Sequence, residues 1–263
     1  MHPYPNPVLA IIAYLLTVIA VGIFAFGSFK LYKKIASGQS DPSRFQNKGK
    51  RFVNMSREAI THTKMLNLTA TGVTHWFIMI GFFTLLGSLV NAYGQIINPE
   101  FALPVIGHFI GYEFVVELTA WLTGIGIITL IGIRLVSLMQ RPKRKSRFYG
   151  SGNKKAYYVE ATIVLIVFCI ITLRGLEGAL AGVSSWNWHY AISWPAVVAF
   201  SSMSQASLEN AIVIVATLKI VISMACFIVI ASNLTMGIAW HRFLAFFNIY
   251  YKRNIDKPAL GAL

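Results

Sequence analysis

The chain has 263 residues, of which 56% are apolar and only 12% are charged, and its formal net charge is +14. A soluble domain carries about twice that charged fraction, so the composition excludes an ordinary soluble enzyme and favours an integral membrane protein.

Five apolar stretches are long enough to cross a bilayer as helices. They cover about 8–31, 66–93, 114–139, 157–180 and 212–247. Lysines follow the first stretch and no basic segment precedes it, which argues against a cleaved signal peptide. Because the connecting segments are short, neighbouring spans should be antiparallel. The sequence therefore predicts one all-α membrane domain, 1–263, folded as a five-span up-and-down helix bundle.

The basic residues lie mainly on one side of the predicted membrane bundle, and this distribution argues against a nucleic acid binding site. Nearly all of the 23 lysines and arginines lie in the stretches 30–64, 134–155 and 242–257. In a five-span chain these stretches share one side, which the positive-inside rule places in the cytoplasm. We therefore expect a multi-pass protein of the cell (inner) membrane, with the N-terminus outside, the C-terminus in the cytoplasm and no nucleic acid partner.

The two cysteines, Cys169 and Cys226, lie in separate predicted spans. No CxxC motif is present, so we expect no iron–sulfur cluster or structural zinc within this chain. Both cysteines are interpreted as small buried apolar residues.

Two histidines lie at matched positions in the second and last spans. His75 follows Lys64 by eleven residues, and His241 precedes Lys252 by eleven. At about 1.5 Å per residue, each is roughly 16 Å along its helix from a cytoplasmic basic residue. Two imidazoles at equal depth can ligate one haem iron from both sides. The sequence therefore predicts one b-type haem with these axial ligands. The alternative is a cofactor-free membrane anchor for a cytoplasmic oxidoreductase complex, in which each histidine hydrogen-bonds a neighbouring helix.

Residues near the two histidines are candidates for contact with the haem. Its two propionates need cationic partners, for which Arg242, Lys64 and Arg57 are available. The positive-inside rule explains these three residues equally well. Trp76 and Trp240 adjoin the ligands and are candidate haem walls, although aromatic residues at such positions more often simply pack.

The remaining histidines within the chain are candidates for a quinone site. His62 lies at the cytoplasmic edge, and on a continuous helix the thirteen residues to His75 would turn it about 140° away. His108 and His189 lie in loops predicted to be outside, where they could meet. The simpler alternative is that both are solvated.

Two charged residues within the spans need partners. Arg174 would be costly in lipid unless paired, so we expect a cluster with Glu117 and Glu177, which could also transfer protons at a quinone site. Lys219 precedes His241 by 22 residues in the last span. We expect it to reach the outer interface, where its side chain can snorkel. A transporter is disfavoured because the chain has no inverted repeat.

Several stretches resemble the nitrate reductase gamma-subunit type of membrane cytochrome b. The similarity is closest to the N-terminal membrane domain of heterodisulfide-reductase-related iron–sulfur oxidoreductases, of the actinobacterial electron-transfer-flavoprotein:quinone type, and covers roughly residues 50–260. The stretches are Gly72–Trp76, Tyr93–His108 (YGQIINPEFALPVIGH), Ser146–Ser151 (SRFYGS), Tyr157–Glu160, Leu173–Glu177 (LRGLE) and Trp240–Arg253 (WHRFLAFFNIYYKR).

The resemblance implies a quinone-linked oxidoreductase in which this chain is the haem and quinone module. Electrons would pass between a cytoplasmic iron–sulfur domain or subunit, or an electron-transfer flavoprotein, and menaquinone or ubiquinone. It also implies that His75 and His241 ligate the haem nearer the cytoplasm. Two-haem relatives carry a further histidine deeper in each ligating helix, but Leu85 and Ser223 stand near those positions here, so one haem is expected. The iron–sulfur domain of the relatives would lie beyond residue 263.

Overall fold

A computed structural model describes residues 7–62, 65–67, 69–140 and 152–255. The haem candidate Lys64 and the stretch 146–151 lie outside the described residues. All regular structure in the described ranges is helical, with short 3-10 turns at Pro42–Phe45 and Trp188–Tyr190. The helices are α1 (Pro7–Ala36), α2 (Lys48–Thr61), α3 (Thr69–Thr84), α4 (Leu86–Gln95), α5 (Ile110–Gln140), α6 (Asn153–Leu180), α7 (Trp194–Phe200), α8 (Gln205–Ser232) and α9 (Gly237–Tyr250).

Four of these helices, α1, α5, α6 and α8, are long and apolar enough to cross a membrane. The pair α3 and α4 counts as a fifth if it forms one span, although its two parts meet at an angle of 41°. The chain is thus an all-α membrane bundle with four or five candidate spans.

The predicted second span is bent where α3 meets α4, and Thr84 lies next to this bend. The Thr84 hydroxyl donates to the carbonyl oxygens of Ile80, at 3.0 Å, and Gly81, at 3.4 Å. Such back-bonding to the preceding turn competes with the helix ladder and often bends helices. The apolar run 66–93 is therefore continuous in sequence but not straight.

The last predicted span, 212–247, is not one helix, so this part of the prediction was wrong. Helix α8 ends at Ser232, and α9 begins at Gly237. The Trp240 indole donates to the carbonyl oxygens of Ile230, at 3.1 Å, and Asn233, at 3.2 Å. These bonds attach the first turn of α9 to the end of α8. His241 therefore lies on a separate helix, and its distance from Lys219 is not set by one straight helix.

Helix α8 is the centre of the bundle and packs against α1, α4 and α6, while α5 packs between α3 and α6. Small residues lie where backbones approach most closely. A Cβ atom at Gly27 of α1 would lie 2.8 Å from the Ala231 carbonyl oxygen, and one at Gly126 of α5 would lie 2.8 Å from that of Thr74. Close contacts of this kind are typical of membrane helix pairs.

Helix α1 buries only small residues, namely Ala13, Ala20 and Gly27. Its larger apolar side chains are exposed, including Val18 and Phe26. A soluble protein would bury such a surface, whereas a lipid-facing helix leaves it open.

Candidate functional site: a histidine cavity and a buried charge cluster

A cavity of about 790 Å³ opens between α3, α5, α6, α8 and α9. We call it the histidine cavity because His62, His75 and His241 line it. Apolar side chains such as Phe82 and Phe243 form most of its wall. Its volume is within the usual range for ligand and cofactor sites, about 300–1,000 Å³.

The two histidines that the sequence analysis predicts to face each other lie close together in the structure. The imidazole rings of His75, on α3, and His241, on α9, have centroids 5.9 Å apart and planes inclined by 41°. Imidazole nitrogens bind transition metals at about 2 Å, so rings at this separation have room for one metal atom between them. The donor set and the surrounding apolar cavity both fit a bis-histidine haem.

His62 contacts this pair, and we call the three residues the histidine cluster. The contact was not expected, because on a continuous helix His62 would point about 140° away from His75. Its Nε2 lies 3.1 Å from Nδ1 of His75. The expectation was wrong because α2 ends at Thr61 and the chain turns before α3 begins. A Cβ atom at Gly72 would overlap the Met65 backbone, so this glycine lets the turn lie against α3.

The two tryptophans next to His75 and His241 hold helices together, and neither is among the residues that line the histidine cavity. The Trp76 indole donates a 2.8 Å hydrogen bond to the Ile60 carbonyl oxygen and so ties α3 to the end of α2. Trp240 is 3% exposed and stacks against Phe24 of α1. Both tryptophans therefore position the histidines that adjoin them.

Arg242 is the predicted haem-contacting cation that lines the cavity, and its guanidinium lies 5.3 Å from the Phe82 ring centroid. Arg57 is exposed, and its side chain is not in the described cavity wall. Sequence reasoning missed Arg134, which lines the cavity and forms a 2.7 Å ion pair with Glu160. The signal was available, because charged residues within predicted spans are rare and usually functional.

A second missed residue, Arg51, holds α9 in place. The residue is 4% exposed, and its guanidinium donates to the carbonyl oxygens of Tyr250, at 2.9 Å, and Lys252, at 2.8 Å. Arg44 donates similarly to Tyr251, at 2.9 Å. Cations at a helix C-terminus satisfy its free carbonyls and complement its dipole. The helix that carries His241 is therefore fixed at its far end by two arginines.

A second, smaller cavity of about 330 Å³ lies near the connections 96–109 and 181–193. We call it the loop cavity. Polar and charged side chains are prominent in its wall, including Gln95, His108, Tyr112, Glu113, Arg174, Glu177, Tyr190 and Lys219.

Arg174 is the centre of the charge cluster beside the loop cavity. Its guanidinium contacts Glu177 at 2.7 Å, Glu117 at 3.2 Å and Glu113 at 3.5 Å. The predicted pairing with Glu117 and Glu177 is thus confirmed, and Glu113 is an additional partner. Glu117 also accepts hydrogen bonds from the backbone N–H groups of residues 192 and 193, so the cluster fixes a loop to the bundle.

The other quinone-site candidates lie in this region. His108 lines the loop cavity, while the His189 ring pairs with the Glu113 carboxylate. The backbone carbonyl oxygen of His189 also accepts a hydrogen bond from the Arg174 guanidinium. Burial raises the pKa of the neighbouring Tyr190 to about 12, although the positive charge of Arg174 opposes this shift.

Lys219 does not reach an interface, so the expectation that it snorkels was wrong. The residue is 2% exposed, and its Nζ donates to the carbonyl oxygen of Ser88, at 2.6 Å, and to the Ser88 hydroxyl, at 3.1 Å. It lies in the wall of both cavities. The prediction failed because it placed Lys219 by its distance from His241 along a helix that is broken.

Comparison with known proteins gives no match to a family model, to a curated protein or to a solved structure.

Proposed function

We propose that this chain is a membrane electron-transfer module that holds one b-type haem in the histidine cavity, with His75 and His241 as axial ligands. The observation that carries the proposal is the pair of imidazoles, 5.9 Å apart, in the wall of an apolar cavity of about 790 Å³. Ligation by two histidines leaves no open coordination site, which suits electron transfer.

The haem supplies a one-electron redox couple when bound, and the residues of the chain set its surroundings. The mostly apolar wall would give the haem surroundings of low polarity, which influence its reduction potential. Arg242 and Arg134 are two arginines in the cavity wall that could pair with haem propionates. Arg134 was not among the candidates chosen from the sequence.

The electron partners follow from the predicted topology. The basic stretches 30–64 and 242–257 flank the helices that carry the histidine cluster, and the positive-inside rule assigns this side to the cytoplasm. An iron–sulfur domain or subunit, or an electron-transfer flavoprotein, would therefore exchange electrons with the haem from this side. The chain would act as part of a quinone-linked oxidoreductase, with its N-terminus outside.

The loop cavity is the proposed site for the quinone, menaquinone or ubiquinone. Of the three histidines considered for this role, His108 lines that cavity, whereas His62 contacts His75 and His189 pairs with Glu113. Gln95 and Lys219 lie in the same wall and can donate hydrogen bonds to a quinone carbonyl.

The visible spectrum of the purified protein tests the haem. We expect a reduced-minus-oxidised b-type signal in the wild type, its loss in His75→Ala and in His241→Ala, and its retention in the control His108→Ala. A wild-type protein that binds no haem after supplementation would favour the cofactor-free anchor. Haem retained in either ligand variant would show that the ligand assignment is wrong.

A further inference from the structure

The hydrogen bonds around His62 determine where the protons of two imidazoles lie. Nδ1 of His62 is 3.2 Å from the Ala59 carbonyl oxygen. A carbonyl oxygen can only accept, so this nitrogen carries the proton. In a neutral imidazole the other nitrogen is then an acceptor.

The same reasoning continues to His75. Nε2 of His62, the acceptor, lies 3.1 Å from Nδ1 of His75. Nδ1 of His75 must therefore donate. His75 then carries its proton on Nδ1 and a lone pair on Nε2, which is the nitrogen that remains available to a metal.

We infer that His62 is a positioning residue for His75, whose tautomer and ring orientation it fixes through a hydrogen bond that continues to the Ala59 carbonyl. The inference rests on the proposed haem site and deepens it. Metal-ligating histidines commonly donate their second N–H to a carboxylate, carbonyl or water, which orients the ring and makes it a stronger ligand. Here a second imidazole takes that place.

The backbone at His62 supports a role for the ring. His62 has φ 50° and ψ 30°, in the left-handed region that favours glycine and asparagine. A glycine would satisfy this conformation more easily. The neighbouring bond from Trp76 to the Ile60 carbonyl, at 2.8 Å, holds the end of α2 against α3 independently of the His62 ring.

Three substitutions at His62 distinguish the effect of losing the imidazole ring from the effect of the left-handed backbone conformation. His62→Ala and His62→Gly both remove the ring, but only the glycine relieves the left-handed backbone. His62→Gln places an amide oxygen near the position of Nε2, where it can accept from His75. Asn47 has φ 54° at the other end of α2 and no side-chain capping bond, so Asn47→Ala is a matched control for backbone strain.

Two measurements apply to each variant. In apoprotein labelled with ¹⁵N-histidine, the nitrogen shifts report which nitrogen of His75 is protonated. We expect the Nδ1–H form in the wild type and in His62→Gln, and a mixture in the alanine and glycine variants. In haem titrations of the same preparations, loss of the ring should weaken affinity about 10- to 100-fold, as for other residues that support metal ligands. The reduction potential and the low-spin EPR spectrum of the bound haem should also change.

The outcomes distinguish this inference from the proposed function. If the wild type binds haem but His75 carries its proton on Nε2 in the apoprotein, the role of His62 is refuted and the haem site stands. If His62→Gly binds haem as the wild type does while His62→Ala does not, backbone strain is the cause, which also overturns the inference. A wild type that binds no haem but shows the Nδ1–H form of His75 refutes only the haem.

Discussion

The Arg51 guanidinium donates a 2.9 Å hydrogen bond to the carbonyl oxygen of Tyr250, which joins α2 to the last turn of α9. Since α9 carries His241 and α2 leads into His62, this contact holds two members of the histidine cluster in register. Hydrogen bonds to charged groups contribute about 1.5–3 kcal/mol each. We expect Arg51→Leu to lower the thermal unfolding midpoint clearly and to weaken retention of haem. Lysine should not substitute, because an ammonium lacks the planar fork that reaches several carbonyls.

The matched control for this prediction is Lys48→Leu, which changes an exposed residue of the same helix. Its unfolding midpoint should remain that of the wild type. An Arg51→Leu protein as stable as this control would show that the contacts of Arg51 do not hold α9.

Replacing Arg174 should be strongly destabilising. The Arg174→Met variant leaves the carboxylates of Glu113, Glu117 and Glu177 without their shared cation. Removing one partner of a buried ion pair destabilises a protein by about 3–5 kcal/mol. Chemical unfolding in detergent measures the change. Lys154→Met makes the same kind of substitution at an exposed position of α6 and should have little effect. Equal stability of the two variants would contradict a structural role for the cluster.

Two glycines should respond in opposite ways to the same substitution. A Cβ atom at Gly81 of α3 would overlap the Thr123 side chain of α5, whereas one at Gly22 of α1 would meet nothing within 4 Å. Overpacking a close helix contact is destabilising by about 1–3 kcal/mol. Alanine in place of an unconstrained helical glycine is stabilising by roughly 0.5–1 kcal/mol. We therefore expect Gly81→Ala to lower the unfolding midpoint and Gly22→Ala to keep or raise it. The reverse order would mean that α3 and α5 do not cross at Gly81.

Tyr190 should make stability depend on pH in the alkaline range. Burial raises its pKa from 10.0 to about 12 in the folded protein. A raised folded pKa contributes stability that is complete below the unfolded value and is lost as pH rises through the folded value. Between about pH 10 and pH 12 the wild type should therefore lose more stability than Tyr190→Phe, which has no hydroxyl to titrate. Parallel stability profiles of the two proteins over this interval would refute the shift.

The proximity of His75 and His241 could be predicted because both lie in long apolar segments at matched distances from basic residues. The position of His62 could not. Its contact with His75 depends on a turn between α2 and α3, and the left-handed conformation at His62 has no sequence signal of the kind that a glycine or an asparagine gives. The periodicity of apolar residues indicates that a segment is helical, but it does not show at which residue the helix ends.

Arg174 and Lys219, both buried and both within predicted spans, show the same difference. The partners of Arg174 could be predicted, because a charge within a span requires a countercharge and few glutamates are available. Lys219 binds the main-chain carbonyl of Ser88, and no pattern of side chains discloses a backbone partner. The break between α8 and α9 falls in an apolar segment where Asn233 and Gly237 are only weak signals of a helix end.

The position of Lys219 in the wall of both cavities has an electrical consequence. A group bound in either cavity would therefore border the same side chain, which is only 2% exposed to solvent. If the two cavities hold a haem and a quinone, as proposed, the electrostatic potential of this one side chain would act on the reduction potentials of both.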